Sequence, residues 1–581
     1  MTAAVPATGH PVPVPDDSHA SIRNPVLTGF HPDPSLLRVG EDYYLATSTF
    51  EWLPGVTLHH SRDLVHWEPL GGALAEERLL DLVGVPDSGG VWAPCLSWAD
   101  GLFHLVYSDV KSLAGAFKDV HNYVVTASAP TGPWSEPVPV AGHGFDPSLF
   151  HDTGPDGTGR SWLLWLAWDH RPGKDPFAGI LLQEWDRTAR CVRGPVRRVF
   201  TGTELGRTEG PHLYRRDGWY YLVTAEGGTS WDHAVTVARS RAVTGPYTPD
   251  PAGPLLTSAE DEHLALQKAG HGSLVETPDG EWYLAHLAAR PLTPRGACVL
   301  GRETAIQHVH WTEDGWPRVD GDAGPARPAG HVPAPRRPGR SAPSPTGPRP
   351  ATPPGLPGPE WMTLRRHPDP RWLTAATDTG GLRLRGGESL SSRHRQSLVA
   401  RRQQHTRFRF ESTVSFVADE PRQMAGIVHF YNTGLWHYAH LTTDEELGRV
   451  LRLAVCDRGR YSEPAAPVPL PAETPVRLRL TGLGGEASFA WWDVPTRVWR
   501  PLGPALDTSR LSDEYATVGD ADGHFSDWGF TGAFVGVCAQ DLTGGRLPAD
   551  FADMSYRALD EEVRRPGRAD GRPDRSARPQ P

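Results

Sequence analysis

The chain has 581 residues, a formal net charge of −11 at pH 7 and 38% hydrophobic residues. This length exceeds what one ordinary hydrophobic core occupies, so we expect two or more domains. The negative charge repels polyanions and argues against nucleic acid as a partner, and no run of about 18 apolar residues predicts a membrane span.

The cysteines and the N-terminus indicate the compartment. Five cysteines are widely scattered without a CxxC pair, which argues against a disulfide scaffold and a structural zinc site. The first residues, MTAAVPATGHPVPVPDDSHA, contain neither a basic region nor an apolar stretch, so they do not resemble a secretory signal. The sequence therefore predicts a cytoplasmic protein.

Composition divides the chain into folded and unfolded parts. Residues 1–21 are rich in proline and are predicted to be disordered, and a first folded region follows over 22–321. Residues 322–358 are rich in Pro, Gly and Arg and predict a linker with polyproline character. A second folded region covers 359–560, and residues 561–581 predict a disordered tail.

The first folded region repeats one pattern five times. Each copy has a turn-like motif, an apolar strand, a charged turn and an aromatic strand, as in DPSLLRVGEDYYLATST and GPHLYRRDGWYYLVTAE. The residues that align at the start of the copies are Asp33, Ala93, Asp146, Gly210 and His271, with steps of 60, 53, 64 and 61 residues. Repeats of this size predict a five-bladed β-propeller, whereas a sandwich of irregular hairpins would not explain the recurrence.

The second folded region also predicts β-structure. TRFRFESTVSFVA (406–418) and PVRLRLTGL (475–483) alternate apolar and polar residues with a period of two. An all-β protein with a propeller followed by a C-terminal β-sandwich is therefore expected. The sandwich lacks an obvious row of aromatics for binding a polymer, so we expect it to close one rim of a pocket, with Phe525 or Phe530 contributing.

The positions at which the repeats begin include side chains that could take part in catalysis. A propeller brings equivalent positions of its blades to one axis, which would gather Asp33, Asp146 and Glu209, the neighbour of Gly210. Crowded carboxylates raise the pKa of at least one member, and glycosidic cleavage needs one acid and one base. A single DPS motif is also a common turn, and a non-catalytic sugar-binding propeller stays an alternative, but neither requires three carboxylates at matching positions.

Both folded regions contain distinctive motifs, namely NPVLTGFHPDPS (24–35), GVWAP (90–94), GFDPSLFHD (144–152), RTEGPHLY (207–214), AGHGSLV (269–275), LGRETAIQ (300–307) and YNTGLWHYAHLTTDEELGR in the second region. Together these motifs strongly resemble glycoside hydrolase family 43, and in particular its two-domain β-xylosidases.

The resemblance implies roles for individual residues. Asp33 would be the general base, Asp146 the residue that modulates the pKa and orientation of the acid, and Glu209 the general acid. The predicted substrate-binding residues are Phe50, Trp92, Arg302 and His271.

The resemblance also implies the reaction, which is inverting release of xylose from the non-reducing ends of β-1,4-xylooligosaccharides. An α-L-arabinofuranosidase, or an enzyme with both activities, remains the alternative because the two sugars present similar hydroxyl patterns. No cofactor is required, a calcium ion near His271 is left open, and so is a homo-oligomer. The expected partner is a small oligosaccharide.

Overall fold

A computed structural model describes residues 21–152, 159–321, 324–336, 353, 355–376, 381–471, 473–519 and 525–559. Nearly all regular structure in these residues is β-strand, and no helix among them is long and apolar enough to cross a membrane. The all-β prediction is confirmed.

The first half of the chain forms a five-bladed propeller, as predicted. Each blade is an antiparallel sheet of neighbouring strands, which keeps every connection local. The first blade contains Ser35–Val39, Asp42–Thr47, Gly55–Ser61 and Glu68–Leu74. The second contains Gly90–Ala99, Leu102–Ser112, Asp119–Ala127 and Val138–Pro139, and the third contains Gly144–Asp152, Arg160–Trp168, Phe177–Asp186 and Cys191–Phe200.

The last two blades follow the same plan. The fourth contains Glu209–Arg216, Trp219–Glu226, Ala234–Ser240, Thr248–Pro249 and a short strand, Leu256–Thr257. The fifth contains Gln267–Glu276, Trp282–Ala289, Glu303–Trp311 and Pro317–Arg318. The inner strands of the second, third and fifth blades are almost fully buried.

Part of the range interpreted as a linker belongs to the propeller surface. His331–Pro333 pairs antiparallel with Ser21–Arg23, and Asp320–Gly321 pairs with Gly324–Pro325. Val332 and Ile22 are buried together in one apolar cluster. This local burial explains why a segment of unfavourable composition is nevertheless structured. Of the segment 1–21, which is predicted to be disordered, only Ser21 is described, and it lies in a strand. Most of the remaining linker prediction and the predicted tail over 561–581 lie outside the described residues.

The second half forms the predicted β-sandwich. One sheet has the order Arg460–Ser462, Gly448–Asp457, Leu435–Asp444, Gln423–Asn432, Phe534–Asp541, Ser397–Arg402, Trp361–Leu364 and Trp52–Leu53, with Val468–Pro469 beside Gly448–Asp457. The other has the order Leu373–Ala376, Gly381–Arg385, Pro548–Ala558, Arg407–Ser415, Val476–Leu483, Glu486–Asp493 and Val498–Asp507. A 3₁₀ turn (Thr508–Arg510), a short helix (Asp513–Ala516) and a strand pair (Val518–Gly519, Phe525–Asp527) complete it.

The two domains share a sheet and a core. Trp52–Leu53, which lies inside the first blade in sequence, pairs with Trp361–Leu364 of the sandwich. Trp52 also stacks on Phe534 with ring centroids 3.8 Å apart. This continuity fixes the sandwich against the face of the propeller where the first blade begins.

Candidate active site

The five aligned positions share one backbone conformation. Their φ angles are 54° at Asp33, 30° at Ala93, 54° at Asp146, 56° at Gly210 and 50° at His271. Positive φ is unfavourable for residues with a Cβ, least so for Asp and Asn. In the four later blades the register of the inner strand shifts at this point, and such irregularities redirect side chains. The sequence repeat therefore corresponds to one backbone conformation that recurs at the five aligned positions.

Contacts between blades show that these positions meet. The backbone N–H of Gly210 donates to Asp146 Oδ2 at 3.1 Å, which joins the third and fourth blades. His271 Nδ1 lies 3.7 Å from Asp33 Oδ1, which joins the fifth and first. A Cβ added to Gly210 would approach the His271 ring to 3.0 Å, so the fourth and fifth blades are also close together here. The predicted convergence around the axis is present.

Asp33 is a buried carboxylate with polar partners. Ser48 Oγ donates to its Oδ2 at 2.7 Å, and Arg302 Nη1 donates to its Oδ1 at 3.3 Å. Burial alone would raise the pKa of Asp33, but Arg302, His271 and Ser48 together outweigh it and the pKa is lowered. Asp33 is thus ionised at neutral pH, as a general base must be.

The pKa values of Glu209 and Asp146 are shifted in the opposite direction to that of Asp33. Burial, followed by the negative charge of Asp33, raises the pKa of Glu209 to about 8. Burial, Glu209 and Asp33 raise the pKa of Asp146 well above its ordinary value. Asp33 and Asp146 are buried, whereas Glu209 keeps partial solvent exposure. One ionised carboxylate therefore lies near a partly accessible group that holds its proton at neutral pH, as general acid–base chemistry requires.

Arg302 connects the carboxylates to both domains. Besides Asp33, its guanidinium donates to Thr229 Oγ1 at 3.0 Å and to the backbone oxygen of Phe530 at 3.1 Å. Only 4% of Arg302 is exposed, so its charge acts in a poorly screened environment. Sequence reasoning found Arg302 by resemblance but missed Thr229, which lies outside the repeat column and carries no motif.

Aromatic side chains pack together beside Arg302. Phe50 and Trp92 have ring centroids 6.1 Å apart, and Phe530 of the sandwich lies 6.0 Å from each of them. Arg302 lies over the rings of Phe50 and Phe530 at 5.4 and 5.2 Å. Phe530 thus contributes to the wall as expected, whereas the side chain of Phe525 lies outside the described residues.

Lys118 is a further charged residue that sequence reasoning missed. Its ammonium lies 4.4 Å from the ring of Trp168 and 5.5 Å from that of Trp528. Burial lowers the pKa of Lys118 to about 8, against the opposing influence of Glu209. Lys118 follows the second strand of its blade in a turn-rich segment, SLAGAFKD, without any periodic signal.

The described contacts of His271 supply few oxygen ligands for a calcium ion. Ca²⁺ takes six to eight oxygen ligands, whereas His271 faces Asp33, His212 and Arg302. Within the described ranges no group of three or more His, Cys, Asp or Glu residues is placed to hold a metal ion. Burial, with a smaller contribution from Arg302, lowers the pKa of His271, so a neutral imidazole faces Asp33. The calcium site stays a prediction.

Comparison with known proteins places this geometry in context. The family model described as glycosyl hydrolases family 43 matches residues 22–317, and that of the beta xylosidase C-terminal concanavalin A-like domain matches 355–557. A xylosidase/arabinosidase 43B of Humicola insolens is 45% identical over 93% of this chain and 98% of its own length. A beta-xylosidase of Bacillus subtilis (strain 168) is 43% identical over 92% and 99%. The crystal structure of a xylan beta-1,4-xylosidase from Bacillus halodurans C-125 has a TM-score of 0.86 at 48% identity, covering 92% of this chain and 100% of that one.

Proposed function

The chain belongs to glycosyl hydrolase family 43, and we propose that it is an exo-acting, inverting β-xylosidase that releases xylose from the non-reducing ends of β-1,4-xylooligosaccharides. The two-domain beta-xylosidases to which it is similar match it over nearly their whole length. As a glycoside hydrolase, it acts on small oligosaccharides.

The proposal depends on one observation above the others, the unequal protonation of Asp33 and Glu209. The pKa of Asp33 is lowered, whereas that of Glu209 is raised to about 8. Glu209 begins the inner strand of the fourth blade and Asp33 lies two residues before that of the first, so the blades hold them in a fixed relation. A sugar-binding propeller would not need this difference, because two acceptors of equal charge would hold hydroxyl groups equally well.

The chemistry follows from these protonation states. A water molecule gives its proton to ionised Asp33 and attacks the anomeric carbon, while the bond to the leaving oxygen breaks. Glu209 gives its proton to that oxygen, and the reaction ends with Asp33 protonated, Glu209 ionised and the anomeric configuration inverted. Asp146 holds the backbone N–H of Gly210, beside Glu209, and therefore acts as a positioning residue. Arg302 supplies donors for sugar hydroxyls.

The aromatic enclosure supports action from chain ends. Phe50 and Phe530 lie against Arg302, and Trp92 lies beside both of these rings, where the sandwich meets the propeller. A long polymer crossing the site would have to displace the segment that carries Phe530, which Ser88 and Arg302 hold by hydrogen bonds. A terminal sugar needs no such displacement.

Hydrolysis of nitrophenyl β-xyloside with early proton NMR of the released xylose tests the stereochemistry, because this substrate yields xylose only from the cleaved bond. Inversion predicts that α-xylose appears before mutarotation. First-formed β-xylose would contradict the assignment of Asp33 as the base. If xylose release from xylobiose is undetectable while xylobiose still binds, the sugar-binding alternative gains support.

α-L-Arabinofuranosidase activity is the second candidate. The Humicola insolens relative is named for both xylosidase and arabinosidase activity, and the two sugars present similar hydroxyl patterns. Paired measurements of kcat/KM on nitrophenyl xyloside and nitrophenyl arabinofuranoside separate the candidates. We expect the xyloside to be preferred, and a higher kcat/KM on the arabinofuranoside would reverse the assignment.

A further inference from the structure

A cavity of about 220 Å³ lies between the two domains. The propeller contributes Thr57, His59 and the segment from Val26 to His31, and the sandwich contributes Arg401 and Arg402. His31, which lines this cavity, lies two residues before Asp33 in the sequence. The lining is mixed, because Leu27, Leu58 and Trp67 lie beside the polar and charged side chains.

Arg402 is an unusual member of this lining. Only 5% of the residue is exposed. Its Nε donates to the backbone oxygen of Phe30 at 2.5 Å, and its Nη2 makes a long hydrogen bond of 3.4 Å to Thr57 Oγ1. Neither acceptor carries a charge, and no ion pair of Arg402 occurs in the described part of the chain. A buried cation without a counter-ion is unfavourable, and here burial lowers the pKa of Arg402 to about 9.

The neighbouring groups leave this charge uncompensated. Glu360, which also lines the cavity, lies 3.6 Å from Arg401 and pairs with that residue instead. His59 is buried, and its Nδ1 has no hydrogen-bond partner in the described structure. Burial, together with the positive charge of Arg402, lowers the pKa of His59 to about 3, so its imidazole is neutral and can donate one hydrogen bond.

We propose that this cavity binds a small oxyanion of the phosphate, sulfate or carboxylate class, with Arg402 as its counter-ion and His59 as a neutral donor. The planar fork of a guanidinium matches two oxygens of such an anion, and phosphate is small relative to the cavity volume. Arg402 also holds Phe30, three residues before Asp33. Occupancy therefore stabilises the segment that carries Asp33. The proposal does not depend on the proposed function, because anion binding is measured without substrate.

Thermal unfolding of the full chain in inorganic phosphate, compared with potassium chloride at equal ionic strength, tests the proposal. We expect phosphate to raise Tm saturably by roughly 2–4 °C, because a ligand that binds only the folded state stabilises it. A parallel series in acetate shows whether a carboxylate also binds. A Tm that depends on ionic strength alone would overturn the proposal.

Variants locate the effect. Arg402→Met should abolish the phosphate-specific rise in Tm, whereas Arg366→Met should keep it. Arg366 is a matched control, since it is a half-buried arginine of the sandwich that packs over Trp372. If Arg402→Met does not fold, His59→Phe supplies the test, and we expect it to weaken the apparent phosphate affinity several-fold. An unchanged phosphate response in either variant would overturn the site.

Discussion

Asp33 and Glu209 come from different blades, and their different acidities depend on a few neighbours. Asp33 accepts from Ser48 and Arg302, which stabilise its charge. Glu209 lies near the charge of Asp33 and is poorly solvated, and both influences favour its protonated form. Exchanging single residues should therefore separate the two roles in kinetic measurements.

Glu209→Gln should affect substrates according to their leaving group. A sugar alkoxide needs a proton to depart, whereas an acidic phenol does not. We expect kcat/KM on xylobiose to fall by about 10²–10⁴-fold, with a much smaller loss on an aryl xyloside that releases an acidic phenol. Glu276→Gln, at the exposed far end of the fifth inner strand, is the control and should retain activity. Equal losses on both substrates would argue against Glu209 as the general acid.

Lys118→Met should move the alkaline limb of the pH–rate profile to higher pH. The ammonium of Lys118 lowers the pKa of Glu209, against burial and Asp33, which raise it. Removing the positive charge makes the carboxylate form of Glu209 less favourable, so the protonated acid persists to higher pH. Profiles of kcat/KM measured with xylobiose test this shift.

Lys111→Met is the control for Lys118. Lys111 belongs to the same blade but pairs with Asp109 at 2.9 Å, so its removal should leave the alkaline limb in place. An alkaline limb that does not move to higher pH in Lys118→Met would mean that Lys118 does not lower the pKa of Glu209.

At the scale of elements, the start of each inner strand and one segment of the sandwich form the site together. The hydroxyl of Ser88 accepts from the N–H of Phe530 at 3.2 Å and donates to the oxygen of Trp528 at 3.0 Å. The backbone oxygen of Ser88 accepts from Trp92 Nε1 at 2.9 Å. The connection before the second blade thus aligns the sandwich segment with the aromatic wall.

Phe530→Ala should reduce activity without unfolding the protein. Its ring contacts Phe50, Trp92 and Arg302 but is only partly buried. We expect kcat/KM on xylobiose to fall by roughly 10-fold or more, in line with about 1.4 kcal/mol of lost transition-state contact, while Tm changes little. Tyr461→Ala is the control, because Tyr461 is an exposed aromatic of the same domain. A variant with full activity would exclude the sandwich from the substrate pocket.

The repeat made much of this site predictable, but not all of it. Asp33, Asp146 and His271 occupy equivalent positions, and alternating strands with turn signals were enough to align them. Lys118 and Thr229 lie in connections between strands, where no periodicity marks a position. The pairing of Trp52–Leu53 with the sandwich was also not predictable, because strand pairing between domains depends on docking rather than on local pattern.

At the scale of the whole molecule, a buried polar cluster joins the domains near the active site. Arg365 of the sandwich is fully buried and donates a hydrogen bond to Asp87 Oδ1 at 2.7 Å. The N–H of Ser88 donates to Glu51 Oε2 at 3.1 Å. The carboxylates of Glu51 and Asp87 thus lie with the guanidinium of Arg365 at the same interface, and Arg393 also lies 3.6 Å from Asp87. The stability of docking should therefore depend on pH.

Glu51→Gln tests this dependence. Burial is the largest influence on Glu51 and, together with Asp87, outweighs Arg365 and raises the pKa of Glu51 from 4.5 to about 7. Between these two pH values the folded protein binds more protons at Glu51 than the unfolded chain, so stability falls as pH rises through this window. Above about pH 7 the full penalty applies, on the order of 3 kcal/mol.

Glutamine keeps an oxygen that can accept from Ser88 but has no charge to desolvate. Relative to the wild type, the Tm of Glu51→Gln should therefore be higher at pH 8 than at pH 5, where Glu51 is largely protonated in the folded protein. Thermal unfolding at the two pH values measures this difference, with Glu486→Gln, an exposed glutamate of the sandwich, as the control. If the Tm of Glu51→Gln relative to wild type were the same at both pH values, Glu51 would ionise in the folded protein as readily as in water, and the ionised form would have to be fully stabilised by Arg365.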